Sequence, residues 1–141
     1  MILIDTTVLV YAVGSEYALR APCRSVIESI GAGLVSATAT VETIQEFAHV
    51  RARHRGRAEA RATTLQNLDL LSPLVQPDRA DLIRGLELFE RHENLGSFDA
   101  VLAAIVLERD HMTGLMSADR GFASIDALTH LDPGAPDFVV I

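Results

Sequence analysis

The feature that most constrains this chain is a succession of very short apolar runs, each followed by a longer stretch of helical periodicity. Ile2-Leu3-Ile4 is apolar on both faces, which suits a strand buried between two layers. Leu34-Val35-Ser36, Leu115-Met116 and residues 128–131 read as further short strands. Leu74-Val75 lies between Pro73 and Pro77 and is a short edge strand at best. Between these runs, residues 20–30 carry Val26, Ile27 and Ile30 at helical spacing and stop at Gly31 and Gly33. Thr38 or Thr40 can cap a helix with an apolar face of Val41, Ile44, Phe47 and Ala48. Its polar face is Glu42, Gln45, Glu46 and His49. Gly56 breaks that helix and a second follows over 57–71. Residues 78–92 form an amphipathic helix striped by Leu82, Ile83, Leu86 and Phe89, and 99–110 a helix apolar almost all round. Strands alternating with helices predict an α/β fold: a three-layer sandwich with a short, mainly parallel central sheet flanked by helices. No linker or repeat divides the chain, so residues 1–141 are expected to be one domain.

Apolar residues make up 49% and charged residues 22%, a globular composition far from that of a disordered chain. The single cysteine, Cys23, excludes an intrachain disulfide and a cysteine-rich zinc ribbon. The longest apolar run, residues 100–107, is well short of the roughly 20 needed to cross a bilayer. Met-Ile-Leu-Ile-Asp carries no basic leader, so the chain is expected in the cytoplasm. The net charge is −7, and all twelve basic residues are arginine. Five of them (Arg51, Arg53, Arg55, Arg57 and Arg61) fall within eleven residues whose one acid is Glu59. That stretch carries +4 and the remainder −11. The cluster is either a solvated corner between helices or a binding patch on an otherwise acidic molecule.

Several chemistries are excluded. There is no Gly-x-Ser-x-Gly elbow, and Cys23 stands beside Pro22 and Arg24 with no histidine nearby. The chain has no lysine, hence no P-loop, and no Gly-x-Gly-x-x-Gly. His49, His54, His92, His111 and His130 are scattered without metalloprotease spacing. No interleaving of aromatic and basic residues marks a base-stacking platform, so RNA and DNA both stay open as nucleic-acid partners at this point.

The acids are placed differently. Asp5 follows the first strand directly, and Asp119 follows Leu115-Met116 and Ser117. Ligands of open parallel sheets bind at the carboxyl ends of strands, so both can face one crevice. Asp99 opens the most apolar helix after Gly96-Ser97-Phe98, and Glu42 opens the helix after the second strand. Each acid alone could be a helix cap or turn residue. Four at equivalent ends of successive strand–helix units instead predict a shared site. Carboxylates brought that close stay charged only around a cation. An all-oxygen donor set selects Mg²⁺, with Mn²⁺ as substitute, and such a site suits phosphoryl chemistry.

Four segments carry a resemblance. They are Ile2-Leu3-Ile4-Asp5-Thr6-Thr7-Val8-Leu9-Val10-Tyr11-Ala12, Val41-Glu42-Thr43-Ile44-Gln45-Glu46-Phe47, Ser97-Phe98-Asp99-Ala100-Val101-Leu102-Ala103-Ala104 and Ser117-Ala118-Asp119-Arg120-Gly121-Phe122. In this order and spacing the chain resembles the PIN-domain ribonucleases, more narrowly the VapC toxins of bacterial toxin–antitoxin systems. The resemblance implies an Mg²⁺-dependent endoribonuclease, a homodimer, and inhibition by a VapB-like antitoxin. It assigns the catalytic acids to Asp5, Glu42, Asp99 and Asp119. Asp5 and Asp99 are expected as primary metal ligands, Asp119 to complete the site or hold a second ion, and Glu42 to orient or deprotonate the attacking water. Thr6 and Ser117 are candidate supporting donors. Thr7 stands where many relatives carry Asn or Ser, and its hydroxyl is expected to keep the hydrogen bonding to the acids. Antitoxin is expected in a groove between the helices over 41–53 and 57–71, and a second copy against the 78–92 helix and the start of the Asp99 helix. A catalytically degenerate binding module and a DNA nuclease are the alternatives.

Overall fold

Four parallel strands in the order β2-β1-β3-β4 form the central sheet of the structure, a computed structural model that describes residues 1–15 and 18–140. The strands are β1 (Ile2–Ile4), β2 (Ala37–Thr38), β3 (Gly114–Met116) and β4 (His130–Leu131). The helices are α1 (Thr6–Ala12), α2 (Arg20–Gly31), α3 (Val41–Arg55), α4 (Arg57–Leu71), α5 (Arg79–Arg91) and α6 (Ser97–Glu108), with a 3₁₀ turn over Arg120–Ser124. Side-chain alternation along β1 and β3 divides the core into two layers. Leu3 and Leu115 pack with α6, Leu88 and Phe122 on one face. Ile4 and Met116 pack with Val8, Leu9, Cys23, Val26 and Phe47 on the other. The expected three-layer α/β sandwich is what forms.

Strand order, not chain direction, reverses at β1: β2 lies on one side of it and β3 on the other. This is the switch point at which parallel sheets open a crevice at their carboxyl ends. Asp5 leaves β1 there, and Ser117 leaves β3 beside it.

Three local expectations are corrected. The second strand is Ala37–Thr38, not Leu34-Val35-Ser36. Residues 34 and 35 instead close the end of α2, where the N–H groups of both donate to the Ser29 carbonyl; Leu34 is 72% exposed. Gly33, at φ +73°, makes that closure possible. Helix α1 lies where sequence reading assigned no element. The stripe of α5 faces outward: Leu82, Ile83, Leu86 and Phe89 are 44–50% exposed, while Asp81, Gly85 and Leu88 face the core. Gly85 explains the rotation. A Cβ there would lie 3.1 Å from the Val101 backbone of α6, so α5 approaches α6 along its smallest residue. The α5 start is set by a reciprocal capping box of Asp78 and Asp81, and Arg109 pairs with the buried Asp81 carboxylate.

Candidate active site

Asp5 is held by its own neighbours. Its backbone N–H donates to the Met116 carbonyl at 3.0 Å, fixing the end of β1 against β3. Its side chain is 4% exposed, and Oδ2 accepts from the hydroxyls of Thr7 (2.8 Å) and Ser117 (2.7 Å). The same hydroxyl oxygens accept backbone N–H groups: Thr7 from Ala118 at 3.0 Å, Ser117 from Asp119 at 3.0 Å. The two hydroxyls thus join Asp5 to the loop that carries Asp119. A hydroxyl at position 7 keeps the hydrogen bonding to the acids. Asp119 caps the 3₁₀ turn by accepting from the Gly121 N–H at 2.8 Å, and its side chain stays exposed.

Asp99 sits in the first turn of α6. Burial pushes its carboxyl up from 3.8 to about 7, and the charges of Asp5, Asp119 and Glu46 add to the rise. Asp5, Asp99 and Asp119 therefore gather at one crevice. The α3 acid whose charge reaches Asp99 is Glu46. Its Oε2 accepts from the Thr6 hydroxyl at 2.9 Å, which ties α3 to the first turn of α1. Glu42 lies one turn earlier on the same face and lines the groove beside the cluster. Both glutamates belong to one polar stripe in the sequence, and only the position of Thr6 on α1 separates their surroundings. Thr40 caps α3 by accepting from the Thr43 N–H at 3.1 Å, and so fixes where that stripe points.

The groove holds about 1130 Å³ and runs between α3 and the start of α5 and α6. It is not between α3 and α4, which pack against each other. Glu42, Glu46 and His49 form one wall, and Phe98, Asp99 and Leu82 part of the other. The donor set of the cluster is entirely oxygen, and its like charges favour a divalent cation. Among the described residues, no three His, Cys, Asp or Glu side chains already stand as ligands to one ion. Mg²⁺ requires fewer, since it is usually held by one or two carboxylates and retains waters.

A PIN-domain family model matches residues 2–128, a span that includes all of these acids. Ribonuclease VapC7 of Mycobacterium tuberculosis (strain ATCC 25618 / H37Rv) is 44% identical over 140 residues, 99% of this chain and 96% of that protein. Ribonuclease VapC23 of Mycobacterium tuberculosis (strain CDC 1551 / Oshkosh) is 29% identical over 126 residues, 88% of this chain and 97% of its own length. VapC ribonuclease Mb1869c of Mycobacterium bovis (strain ATCC BAA-935 / AF2122/97) is 25% identical over 131 residues, 93% of this chain and 99% of its length. With the sheet order, the carboxyl-end crevice and the gathered acids in place, likeness along nearly the whole chain means that it belongs to the PIN-domain family, among the VapC ribonucleases.

Proposed function

We propose that the protein is a divalent-metal-dependent endoribonuclease of the cytoplasm, acting as the toxin of a VapBC-type pair. The observation that carries this reading is the gathering of the half-buried Asp99 with Asp5, Asp119 and Glu46 at one crevice, a carboxyl environment that a cation relieves. Asp5, Asp99 and Asp119 would hold Mg²⁺ or Mn²⁺. Bound there, the metal supplies positive charge for the phosphate and for the oxygen that leaves. Asp5 is presented in one orientation by the Thr7 and Ser117 hydroxyls. A glutamate of α3 orients the attacking water and accepts its proton. Glu46 is better placed for this than Glu42, being fixed by Thr6 next to the aspartates. In the hydrolysis the water oxygen bonds to phosphorus, one ribose oxygen departs, and that oxygen takes up a proton.

The outward stripe of Leu82, Ile83, Leu86 and Phe89 supports a homodimer through α5, because four large apolar side chains gain most when a second copy covers them. A VapB-like antitoxin would act by covering the groove and setting a cation against the acids. The test is cleavage of end-labelled RNA by purified protein. Cleavage is expected with Mg²⁺ or Mn²⁺, and none in EDTA or in Asp5→Asn. Undiminished cleavage in EDTA would rule out the metal mechanism, and sedimentation as a monomer at micromolar concentration would remove the dimer.

A further inference from the structure

We infer that, in the groove between α3 and the start of α6, Phe98 stacks one base of the RNA strand while His49 and Arg53 carry the neighbouring backbone phosphates. This rests on the ribonuclease reading above and specifies which residues hold its substrate.

Phe98 is 77% exposed, one residue before Asp99 at the first turn of α6. A lone exposed apolar residue is ordinary. This one is a planar ring on the wall of the groove that also contains Asp99 and Glu46. A ring so placed offers its face to a base whose phosphate lies at the acids. Base–aromatic stacking needs an unpaired base, which a duplex does not present.

The opposite wall must offset a repulsion. The acids and the net −11 of the chain outside 51–61 repel a polyanion, so the backbone needs cations close to the cut. The five clustered arginines are not equivalent in this respect. Arg51 grips both oxygens of Glu59, at 2.7–3.1 Å, and donates to the Val13 carbonyl at 3.2 Å; it joins α3, α4 and the end of α1. Arg55 is nine residues from Glu46, half a turn around α3, and lines the separate hollow beside Arg51 and Val13. Arg53 is seven residues from Glu46, two turns on and within about 20° of the same face. It stands roughly 10 Å further along the helix axis. Arg53 is exposed and makes no ion pair among the described residues. His49 lies between the two and lines the groove with Glu46. The α3 stripe therefore runs from acid to imidazole to free guanidinium, within a nucleotide or two of the cluster.

The test uses steady-state cleavage of a single-stranded RNA and of the same sequence in a duplex, across a salt series. The single strand is expected to be cut and the duplex spared. Phe98→Ala should lower kcat/KM by about tenfold, Phe98→Trp should restore it, and an abasic nucleotide beside the cut should abolish the difference between Ala and Phe. Arg53→Gln should raise KM with kcat unchanged and reduce the salt slope by about 0.7. Arg24→Gln, on α2, outside the groove lining and paired with Glu28, should change nothing. Because Phe98 and Arg53 are exposed, melting temperatures should stay at the parental value. Equal cutting of duplex and single strand, or Phe98→Ala activity equal to the parent, would overturn the inference while leaving the nuclease reading intact. So would a loss confined to affinity for a protein partner. Absence of cleavage by the parental protein on any RNA would instead defeat the underlying reading.

Discussion

Replacing Asp99 by Asn should stabilise the metal-free protein, and by an amount that depends on pH. The Asp99 carboxyl is pushed up from 3.8 to about 7 by burial and by three neighbouring acids. Below pH 4 the folded and unfolded chains both hold this proton, and stability is unaffected. As pH rises towards 7 the unfolded chain releases the proton while the folded chain keeps it, so stability falls; above 7 the loss is complete and level. At about 1.4 kcal/mol per pH unit the full span amounts to about 4 kcal/mol. Solvent reaches part of the carboxyl and screens its neighbours, which halves the figure to about 2 kcal/mol. Asn keeps the shape and removes the charge, so Asp99→Asn should melt about 6 °C higher at pH 8 in EDTA. The gain should shrink steadily towards pH 4, and saturating Mg²⁺ should narrow it at pH 8 by stabilising the parent. Differential scanning calorimetry of both proteins across this range decides the matter. An Asp99→Asn protein that melts lower than the parent at pH 8, or one with the same gain at pH 4 and pH 8, would refute the electrostatic reasoning.

Three further outcomes follow from local geometry. Glu46→Gln should reduce RNA cleavage by tenfold or more, a typical effect of losing a general base, and Glu42→Gln by much less; the reverse order in single-turnover assays would return the water-orienting role to Glu42. Gly85→Ala would place a Cβ 2.9 Å from the Val101 side chain and 3.1 Å from its backbone, so denaturant titration should show a loss of about 1–3 kcal/mol. Burial pushes the Cys23 thiol up to about 12, so a maleimide at pH 8 should label the native protein far more slowly than the denatured one.

The parts of this fold that can be read from the sequence are those whose local pattern has one physical solution. Ile2-Leu3-Ile4 followed by Asp is buried on both faces and then charged, which only a central strand ending at a polar edge satisfies. Thr40 and Gly56 bracket α3 for reasons internal to the helix, a side-chain cap and a residue at φ +84°. Helix α1 is the opposite case. Thr6–Ala12 is rich in β-branched residues, and its helical state comes from packing Val8, Leu9 and Ala12 beside Cys23 and Val26. The second strand was hidden for a similar reason, since Ala37 and Thr38 are less hydrophobic than Leu34-Val35 but lie at the correct distance from β1. The α5 stripe is a true amphipathic pattern whose outward direction depends on one glycine meeting α6. The acids could be located from their spacing to strand ends. Which of Glu42 and Glu46 meets the Thr6 hydroxyl depends on the position of α1, which local sequence does not contain.

The hydroxyl network indicates where the electrostatic cost of the site collects. Thr7 and Ser117 each have one proton and both direct it to Asp5 Oδ2, while their oxygens take up the N–H groups of Ala118 and Asp119. Asp5 is thus compensated by donors that fold with the chain, and Asp119 by the Gly121 N–H. Asp99 is half-buried, and the charges of Asp5, Asp119 and Glu46 all raise its carboxyl. The acid with the least compensation therefore stands at α6, on the wall that also carries Phe98. A cation bound there would relieve Asp99 most, and an RNA phosphate drawn to that cation would bring its base alongside the exposed ring.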